Sequence, residues 1–521
     1  MSAFVLITLA QNELRLRTRR LSTIVTLLIV IAISWAMITD PRSGESILVF
    51  NHARVLYTSS ALALSSAALG GLLFGLAGFY LVRGRVGEDL RTGIGSVIAV
   101  APISNSLFLL GRWLGGVAYL IVLALTLMAT VMLCQTVRGD GSLEPMVYLE
   151  AYAILLLPLI LFNVSCAILL DSFAPLMGKA GDVLFFIFWV AQLSLAGHLA
   201  SSGRPDFAPS LVFDFTSIAT VAATFAIQFH TADFALGISP FDPKLTPIVL
   251  SDGVWSAQLI ALRCASAAIA LLPLLLAVPL FHRYSPDRVK PVQSRLRRSP
   301  LGIVNQWLRP LATLVQPLFR LAPRLPGLAG QIVADVALTL VTAPFLIAAL
   351  LLTLCASLLI DANHLGGVLL AAIAGWGIAI SDIGTRDFQA GVDTMCNATR
   401  GGKDGCYVRH LAAPFVLGII FVGPIVMRWL ITTPLRSAAA LAGLFALSAL
   451  ATLSGRTTQT SRTFIALFLF GLYVAVHETG LPMLDVVGFN GVATAASATG
   501  YLALGAAATL AGFLWNRRTL G

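Results

Sequence analysis

The segment Arg83–Arg112, RGRVGEDLRTGIGSVIAVAPISNSLFLLGR, decides the fold because it places charges between two long apolar runs. Its charged side chains cannot lie in hydrocarbon without partners, so the segment must lie at an aqueous face while its flanks enter a bilayer. The flanking runs at 57–82 and 107–135 exceed the length of about 20 apolar residues that a transmembrane helix needs. The sequence therefore predicts a polar loop between two transmembrane helices.

The composition extends this prediction to the whole chain. Of the 521 residues, 58% are hydrophobic and only 11% are charged, and the mean hydropathy is +0.89. A soluble domain carries about 25% charged residues. The net charge of +10 is explained by basic residues retained on the inner side of a membrane, so we predict no nucleic-acid partner. We expect a polytopic membrane protein.

Apolar runs of span length, or nearly so, recur along the chain, and we count about twelve transmembrane helices. They fall at 21–39, 57–82, 107–135, 147–170, 181–199, 256–281, 335–360, 366–382, 411–430, 435–455, 463–477 and 487–514. With the N-terminus inside, 26 of the 34 Lys and Arg residues lie in inner loops and 7 in outer loops, which predicts that both termini are cytoplasmic. The apolar segment 216–229 is short, and we expect it to be re-entrant or interfacial. The predicted fold class is all-α.

The centre of the chain separates two halves, 1–282 and 331–521, that share a plan and are expected to be pseudo-symmetric six-helix bundles. Between them, 283–330 is a basic, proline-rich linker whose apolar clusters alternate with Arg. That pattern is typical of short interfacial helices on the inner leaflet, and a solvated linker is the alternative. Each half begins with an amphipathic lead that carries an acid, Glu13 or Asp335. Such duplication is a recurring design of transporters.

The most polar inner loop of each half lies between its second and third spans. Gly93 precedes Arg112 by 19 residues in the first half, and Gly391 precedes Arg409 by 18 residues in the second. A loop that transmits the motion of a partner needs charges for recognition, because electrostatic complementarity mainly sets which partner fits. The alternative interpretation is that these charges only anchor the topology.

The first polar loop contains, in order, a charged cluster, a glycine, an apolar turn, a proline and a basic residue: Arg85, Glu88, Gly93, Ala101, Pro102, Gly111 and Arg112. This order resembles the membrane subunits of ABC exporters of the type-two class. In that family the stretch between the second and third spans is a coupling helix that docks on an ATP-hydrolysing subunit. The N-terminal lead is an elbow helix on the inner leaflet, and outer re-entrant helices precede the sixth span, which 200–255 would match.

The resemblance implies a permease with two fused six-span halves in the bacterial cytoplasmic (inner) membrane. The first coupling element would contain Arg85, Glu88, Asp89, Arg91, Gly93 and Pro102. The second would contain Arg386, Asp387, Gly391 and Asp393, and Glu13 and Asp335 would belong to the elbow helices. The second loop departs from the pattern, because it has Ala398-Thr399 in place of Ala101-Pro102 and an inserted GGKDG at 401–405. We therefore expect two unequal ATPase contacts.

The sequence shows no ATPase of its own. A phosphate loop requires Gly-x-x-x-x-Gly-Lys-Ser/Thr, whereas Gly402-Lys403 is followed by Asp404. The seven His and six Cys residues lack the spacing of metal ligands. We predict that the chain is no enzyme, binds no cofactor or metal, and works with two ATP-binding-cassette subunits that hold ATP and Mg²⁺. The apolar spans favour a small or amphipathic substrate.

Ionisable residues within spans are the best candidates for a transport pathway. We single out Arg263 and Glu150, although a snorkelling side chain explains Arg263 equally well. A secondary carrier of the major facilitator type is the alternative function, since it also has twelve spans, two halves and a basic central loop. Against it, the Gly-x-x-x-Asp-Arg-x-Gly-Arg-Arg pattern of that family and a convincing buried carboxylate are both missing from the sequence.

Overall fold

The structure is a computed structural model, and it describes residues 2–201, 209–229, 234–250, 255–281, 284, 300–393, 395, 398 and 402–518. Helices make up most of the described chain, which confirms the predicted all-α class. Contacts divide the chain into two units, Met1–Pro291 and Val292–Gly521, and the boundary lies within the predicted linker.

The first unit contains twelve described α-helices: α1 (Ser2–Thr18), α2 (Leu21–Met37), α3 (Ser59–Val82), α4 (Arg85–Thr92), α5 (Ile94–Val100), α6 (Asn105–Arg138), α7 (Pro145–Leu155), α8 (Leu157–Ser172), α9 (Lys179–Ser201), α10 (Ile218–Phe229), α11 (Ala257–Ile269) and α12 (Leu272–Leu280). Helix α3 is the central element and packs against α6, α7 and α8. Its 24 residues make it about 36 Å long, which is enough to cross a bilayer. The polar loop of 83–112 begins at its C-terminal end.

A small antiparallel sheet lies at the other end of α3, and the sequence does not predict it. Its strands are β1 (Glu45–Phe50), β2 (Ala53–Arg54) and β3 (Phe234–Pro240), in the order β2-β1-β3. Asn51 and His52 have φ values of 45° and 65°, as the tight turn of a two-residue hairpin requires. The sheet is hard to predict because β1 and β3, which pair with each other, are separated in sequence by most of the first unit.

The second unit contains ten described α-helices: α13 (Pro300–Trp307), α14 (Gln316–Leu321), α15 (Gly327–Thr342), α16 (Phe345–Leu359), α17 (Leu365–Ile380), α18 (Arg386–Gln389), α19 (Gly402–Thr432), α20 (Pro434–Thr458), α21 (Arg462–His477) and α22 (Ala495–Arg518). Helix α20 packs against α19, α21 and α22. It carries buried small residues such as Ala440, Gly443 and Ala446, which let neighbouring helices approach closely in a membrane protein.

Among the described residues, eight helices are long and apolar enough to cross a membrane, and two bent helix pairs raise the number to as many as ten. The chain is thus a multi-pass membrane protein, but the predicted twelve spans are not confirmed. The predicted span at 463–477, for example, is the 16-residue helix α21, which is short of span length.

Each unit contains a pair of consecutive helices that meet at a sharp bend. Helices α1 and α2 are bent by 74°, and α15 and α16 by 99°. The sequence predicts one continuous span at 335–360, and the structure corrects this prediction. Pro344 has no N–H group and disfavours the helical conformation at Ala343, so α15 ends at Thr342. Both predicted acidic leads are therefore separate helices that turn into the first long helix of their unit.

Candidate functional site

The lead helix α1 lies against α6, and glycines of α6 allow this close approach. A Cβ atom at Gly111 would lie 2.6 Å from Cβ of Leu9, and one at Gly115 would lie 2.5 Å from Cβ of Glu13. Side chains do not fit at these positions, so the Gly-x-x-x-Gly spacing brings the two backbones together. The contact places the buried side chain of Glu13 beside the polar loop.

The carboxylate of Glu13 binds two arginines. Arg17 Nε donates to Glu13 Oε1 at 2.9 Å, and Arg85 Nε lies 3.1 Å from the same oxygen. Arg17 also donates to the carbonyl groups of Leu81 and Val82 at 3.1 and 2.9 Å. These carbonyls end helix α3, where a cation is favourable. The lead helix is therefore tied both to the polar loop and to the helix before it.

Helix α4 is a short segment with a glycine at each end. Gly84 and Gly93 have φ values of 94° and 77°, a conformation that glycine adopts without steric cost. Within α4, Glu88 Oε2 lies 2.6 Å from Arg85 Nη1, and Glu88 Oε1 lies 2.6 Å from Arg20 Nη2. A left-handed glycine thus stands at each end of α4, and Arg85 and Glu88 of this helix are paired within the unit.

Asp89 is buried and accepts hydrogen bonds from two side chains. Arg112 Nη2 donates to Asp89 Oδ2, and the hydroxyl of Tyr284 donates to the same oxygen at 2.6 Å. Arg112 Nη1 in turn donates to the Tyr284 hydroxyl at 3.2 Å. Burial raises the pKa of Tyr284, so the hydroxyl stays protonated and can donate. We call these side chains the first charged cluster: Glu13, Arg17, Arg20, Arg85, Glu88, Asp89, Arg112 and Tyr284.

With these charges paired, the loop presents an apolar face to its surroundings. Ile94, Val97 and Val100 of α5 are 52%, 67% and 82% exposed. Their spacing of three residues places them on one side of the short helix. On the opposite side, Gly95 lies so close to the ring of Tyr284 that a Cβ atom would approach it to 2.8 Å. Charge-based reasoning overlooks this face, although the three-residue spacing is visible in the sequence.

Arg83 is a further residue that the sequence does not assign to the site. It is buried, contacts the carboxylate of Asp182, and its Nη1 lies 3.6 Å from Asp171 Oδ1. Asp171 also accepts a hydrogen bond from the N–H of Gly84 at 2.7 Å. The start of the polar loop is thereby bound to the end of α8 and the start of α9. No sequence pattern marks this group, because its three charges lie in three separate elements.

The second unit contains a cluster with the same central pair. Asp387 Oδ2 lies 2.6 Å from Arg409 Nη2, just as Asp89 binds Arg112 in the first unit. The acid precedes the arginine by 22 residues here and by 23 in the first unit. Each arginine is the eighth residue of its long helix, α19 or α6. Arg409 Nε also lies 3.0 Å from Oδ2 of Asp335, the acid of the lead helix α15.

His410 extends this cluster, and the sequence does not assign it to the site. It is buried, its Nε2 lies 3.1 Å from Asp387 Oδ2, and its Nδ1 lies 3.1 Å from Arg456 Nη2. A neutral imidazole with its proton on Nε2 donates to Asp387 and accepts from Arg456. Arg456 Nη1 also lies 3.0 Å from Asp393 Oδ1. We call these side chains the second charged cluster: Asp335, Asp387, Asp393, Arg409, His410 and Arg456.

Arg386 and Gly391 are the other two residues predicted in the second loop. Arg386 Nη1 donates to Thr339 Oγ1 at 3.0 Å, which links the loop to α15, and its Nη2 lies 3.3 Å from Asp382 Oδ1. Gly391 has a φ of 70° and lies two residues after the end of α18, whereas Gly93 directly follows α4. Thr399 and the first glycine of the 401–405 insertion lie outside the described residues. The two unequal ATPase contacts that we expect from this loop therefore stay a prediction.

Arg263 is buried beside the break between α7 and α8. Pro158 has no N–H group, so the carbonyl of Ile154 lacks its helical partner, and Arg263 Nε donates to that carbonyl at 3.1 Å. Arg263 Nη2 donates to the carbonyl of Leu155 at 3.1 Å and to Ser217 Oγ at 2.7 Å. These hydrogen bonds connect the buried guanidinium of Arg263 to the break between α7 and α8. The predicted place of Arg263 in a transport pathway stays a prediction.

Three predicted residues remain, and two of them, Pro102 and Glu150, lie at the surface. Arg91 belongs to α4, Pro102 is exposed just after α5, and Glu150 is exposed on α7. Among the described residues, no group of three His, Cys, Asp or Glu side chains could hold a metal ion.

The charged groups of each cluster are bound to one another, and in the first cluster also to backbone carbonyls; we call each of these arrangements a joint. In each unit they join the lead helix, the polar loop and the third long helix. No protein-family model matches the chain, and no curated protein is significantly similar to it.

Proposed function

We propose that this protein is the membrane permease of an ATP-driven exporter of the type-two ABC class, with both halves fused in one chain. The observation that carries the proposal is the repetition of one joint. In each unit a lead helix meets the next helix at a sharp bend, and the polar loop contains a left-handed glycine. In each unit the eighth residue of a long helix is an arginine, and this arginine binds an acid of the polar loop. Anchoring of the topology needs only basic residues near helix ends, not this linkage repeated in two units.

In this proposal the joints transmit motion of a polar loop to the long helices. Gly84 and Gly93 delimit α4, and the buried pair of Asp89 and Arg112 binds that helix to α6. A buried ion pair with its hydrogen bonds satisfied resists separation, because removing one charge from its partner is costly in a region of low dielectric constant. A force on the loop is therefore passed to the long helix α6. Asp387 and Arg409 connect the second loop to α19 in the same way.

The apolar face of α5 is the proposed docking surface for an ATP-hydrolysing subunit. The buried cores of protein interfaces are depleted of charge and rich in apolar side chains, which fits the exposed Ile94, Val97 and Val100. In this proposal two ATP-binding-cassette subunits supply ATP and Mg²⁺, while this chain catalyses no reaction and binds no cofactor. The polar loops and both termini face the cytoplasm of a bacterial cell, and the helices conduct a small or amphipathic substrate across the inner membrane.

The test is co-purification from the native host in mild detergent without crosslinking, followed by measurement of ATP hydrolysis. We expect an ATP-hydrolysing chain to be recovered with the wild-type protein. Val97→Asp places a carboxylate at the centre of the docking surface and should lower that recovery at least about tenfold, since an unpaired buried charge costs several kcal/mol. Val249→Asp is the matched control, because Val249 is 59% exposed and lies beside the sheet at the other end of α3.

Two results would contradict the proposal. One is the absence of any ATP-hydrolysing chain from the purified wild-type protein. The other is transport and ATP turnover that are the same for Val97→Asp and for the wild type. Transport that persists without ATP and follows a proton or sodium gradient would instead support a secondary carrier of the major facilitator type.

A further inference from the structure

The segment 300–326, which we call the basic platform, is a folded part of the second unit. It consists of α13, α14 and short 3-10 turns that pack against α15 and the start of α16. Val315 is buried in this contact. Gly330 of α15 approaches the carbonyl of Ala322 so closely that a Cβ atom would lie 2.4 Å from that oxygen. The platform is therefore held beside the bend between α15 and α16.

The platform has an apolar surface that the described residues of its own unit leave exposed. Six of its large apolar side chains are between 42% and 81% exposed: Ile303, Val304, Trp307, Leu314, Phe319 and Leu321. The first three follow the spacing i, i+1 and i+4, so they share one side of α13. Clustered exposed side chains of this kind mark a surface that meets a protein or a membrane.

The charge of the platform distinguishes these two partners. Arg309, Arg320 and Arg324 are exposed, and the sequence from 288 to 334 contains no Asp or Glu. Arginine mixed with Trp, Phe and Leu is the composition of segments that lie in the interface of an anionic bilayer. Trp is also enriched at the interface between membrane and water, and Trp307 is the most exposed of the six apolar side chains of the platform.

The neighbouring helix supports the same placement. Helix α16 begins at Phe345 beside the platform, and its residues Leu352, Leu358 and Leu359 are 70%, 71% and 86% exposed. Leucines exposed to that extent are stable in hydrocarbon, so α16 enters the bilayer from the level at which the platform lies. A platform at the start of such a helix is at the depth of the lipid headgroups.

Asn305 connects the platform to the bend. Its Oδ1 accepts a hydrogen bond from the N–H of Phe345 at 3.0 Å. The first N–H groups of a helix have no partner within the helix, so this bond caps the N-terminus of α16. Any force that holds the platform in place also holds the start of α16.

We propose that the basic platform binds the surface of a bilayer that contains anionic lipid, and that this binding holds α15 and α16 in their bent arrangement. The apolar side chains enter the headgroup region, and Arg309, Arg320 and Arg324 meet the lipid phosphates. Each arginine contributes about fivefold to the affinity. The proposal does not depend on ATP-driven transport, because it concerns only how the second unit is anchored.

The test is hydrogen exchange of the full chain in nanodiscs of phosphatidylcholine, with or without phosphatidylglycerol. We expect the amides of 303–321 to exchange at least about threefold more slowly in the anionic discs. Arg309→Gln with Arg320→Gln should remove most of that difference. Arg42→Gln with Lys244→Gln changes the net charge equally at two exposed positions near the sheet and should preserve it. Exchange in α3 serves as the check that each variant is folded.

Equal exchange of 303–321 in the two lipid mixtures would overturn the proposal. It would also be overturned by a difference that survives in the Arg309→Gln, Arg320→Gln variant. Slow exchange in native membranes that is absent from anionic discs would show that a protein covers the platform instead. Slowing by added inorganic phosphate in the uncharged discs would assign the arginines to free anions rather than to lipid.

Discussion

The two charged clusters share a central pair, but that pair is more deeply buried in the first unit. The side chains of Asp89 and Arg112 are 5% and 10% exposed, whereas those of Asp387 and Arg409 are 16% and 15% exposed. The contact between a loop acid and an arginine of the following long helix is therefore the common feature. The surroundings determine how strongly each unit depends on it.

The third partners of the pairs also differ. In the first unit the pair is completed by Tyr284, a neutral side chain that binds both the acid and the arginine. In the second unit Arg409 has Asp335 as a further acid, and His410 binds the loop acid. Among the described residues, one carboxylate pairs directly with the first arginine, whereas two pair with the second. The first joint should therefore be the less tolerant of substitution.

The largest contrast is expected from removal of the loop acid. Asp89→Ala leaves Arg112 buried without a carboxylate and should lower the free energy of unfolding by about 3 kcal/mol. Asp387→Ala leaves Arg409 bound to Asp335 and should cost about 1–2 kcal/mol. Thermal unfolding in detergent, followed by intrinsic fluorescence, measures both.

A double-mutant cycle provides the control for this contrast. If Asp89 and Arg112 act together, Asp89→Ala combined with Arg112→Ala should cost less than the sum of the single changes. Equal losses for Asp89→Ala and Asp387→Ala would show that burial and the extra acid do not distinguish the two joints.

A second contrast concerns how the lead helices pack. Gly115→Ala would place a methyl group 2.5 Å from Cβ of Glu13 and 2.8 Å from the carbonyl oxygen of Ala10, which forces α1 away from α6. We expect a loss of about 2 kcal/mol, with faster hydrogen exchange in α1. Gly405→Ala at the contact of α19 with α15 meets only Leu328 Cδ1, at 3.6 Å, and should be neutral or slightly stabilising. Slow exchange in α1 of the Gly115→Ala variant would rule out the close packing.

The left-handed glycines should behave alike in the two units. Gly93→Ala and Gly391→Ala meet no atoms of the described residues within 4 Å, so we attribute their expected cost of about 1 kcal/mol to the positive φ. Gly87→Ala is the control within α4, because it also meets open space but has helical geometry and should stabilise the helix slightly. Unfolding temperatures for Gly93→Ala that match those of Gly87→Ala would show that the end of α4 needs no glycine.

The smallest expected effect is on how the free energy of unfolding depends on pH. We expect it only in the first cluster, which contains Tyr284. Burial raises its pKa above 10.0, so above about pH 10 the folded protein keeps a proton that the unfolded chain loses. Stability from this group is complete below that pH and is lost as the pH rises further. Tyr284→Phe should cost about 1 kcal/mol at neutral pH and flatten the decline at alkaline pH. Parallel declines for the variant and the wild type would contradict the raised pKa.

Hydropathy and charge were sufficient to predict the elements on which these contrasts depend. The loops around Asp89 and Asp387, the acidic leads, and the pairing of Gly93 with Gly391 as equivalent positions are all visible in the sequence. The bend at Pro344 was also accessible, because a proline inside an apolar run disfavours a continuous helix. Span length alone predicts a continuous helix there, and the proline overrides it.

Other parts of the site could not be predicted from one sequence. Tyr284 is 195 residues from Asp89, and His410 and Arg456 are 46 residues apart, so no spacing rule connects them. The structure pairs Arg85, Glu88 and Asp89 within the first unit and exposes the apolar face of α5, and the predicted contact of the loop charges with a partner stays a prediction. Whether a charge is paired depends on the helices around it, which its own neighbours in sequence do not specify.

The sequence by itself determined that this chain is helical and multi-pass, and that it has two similar polar loops. These features follow from the free energy of transferring side chains between water and hydrocarbon. This free energy is a sum along the chain and does not depend on contacts between distant residues. The tertiary structure alone decided which charges pair, because pairing within hydrogen-bond distance depends on close packing such as that of α1 against Gly115. The segment Arg83–Arg112 is thus a predictable polar loop whose joint with the helices is set by packing.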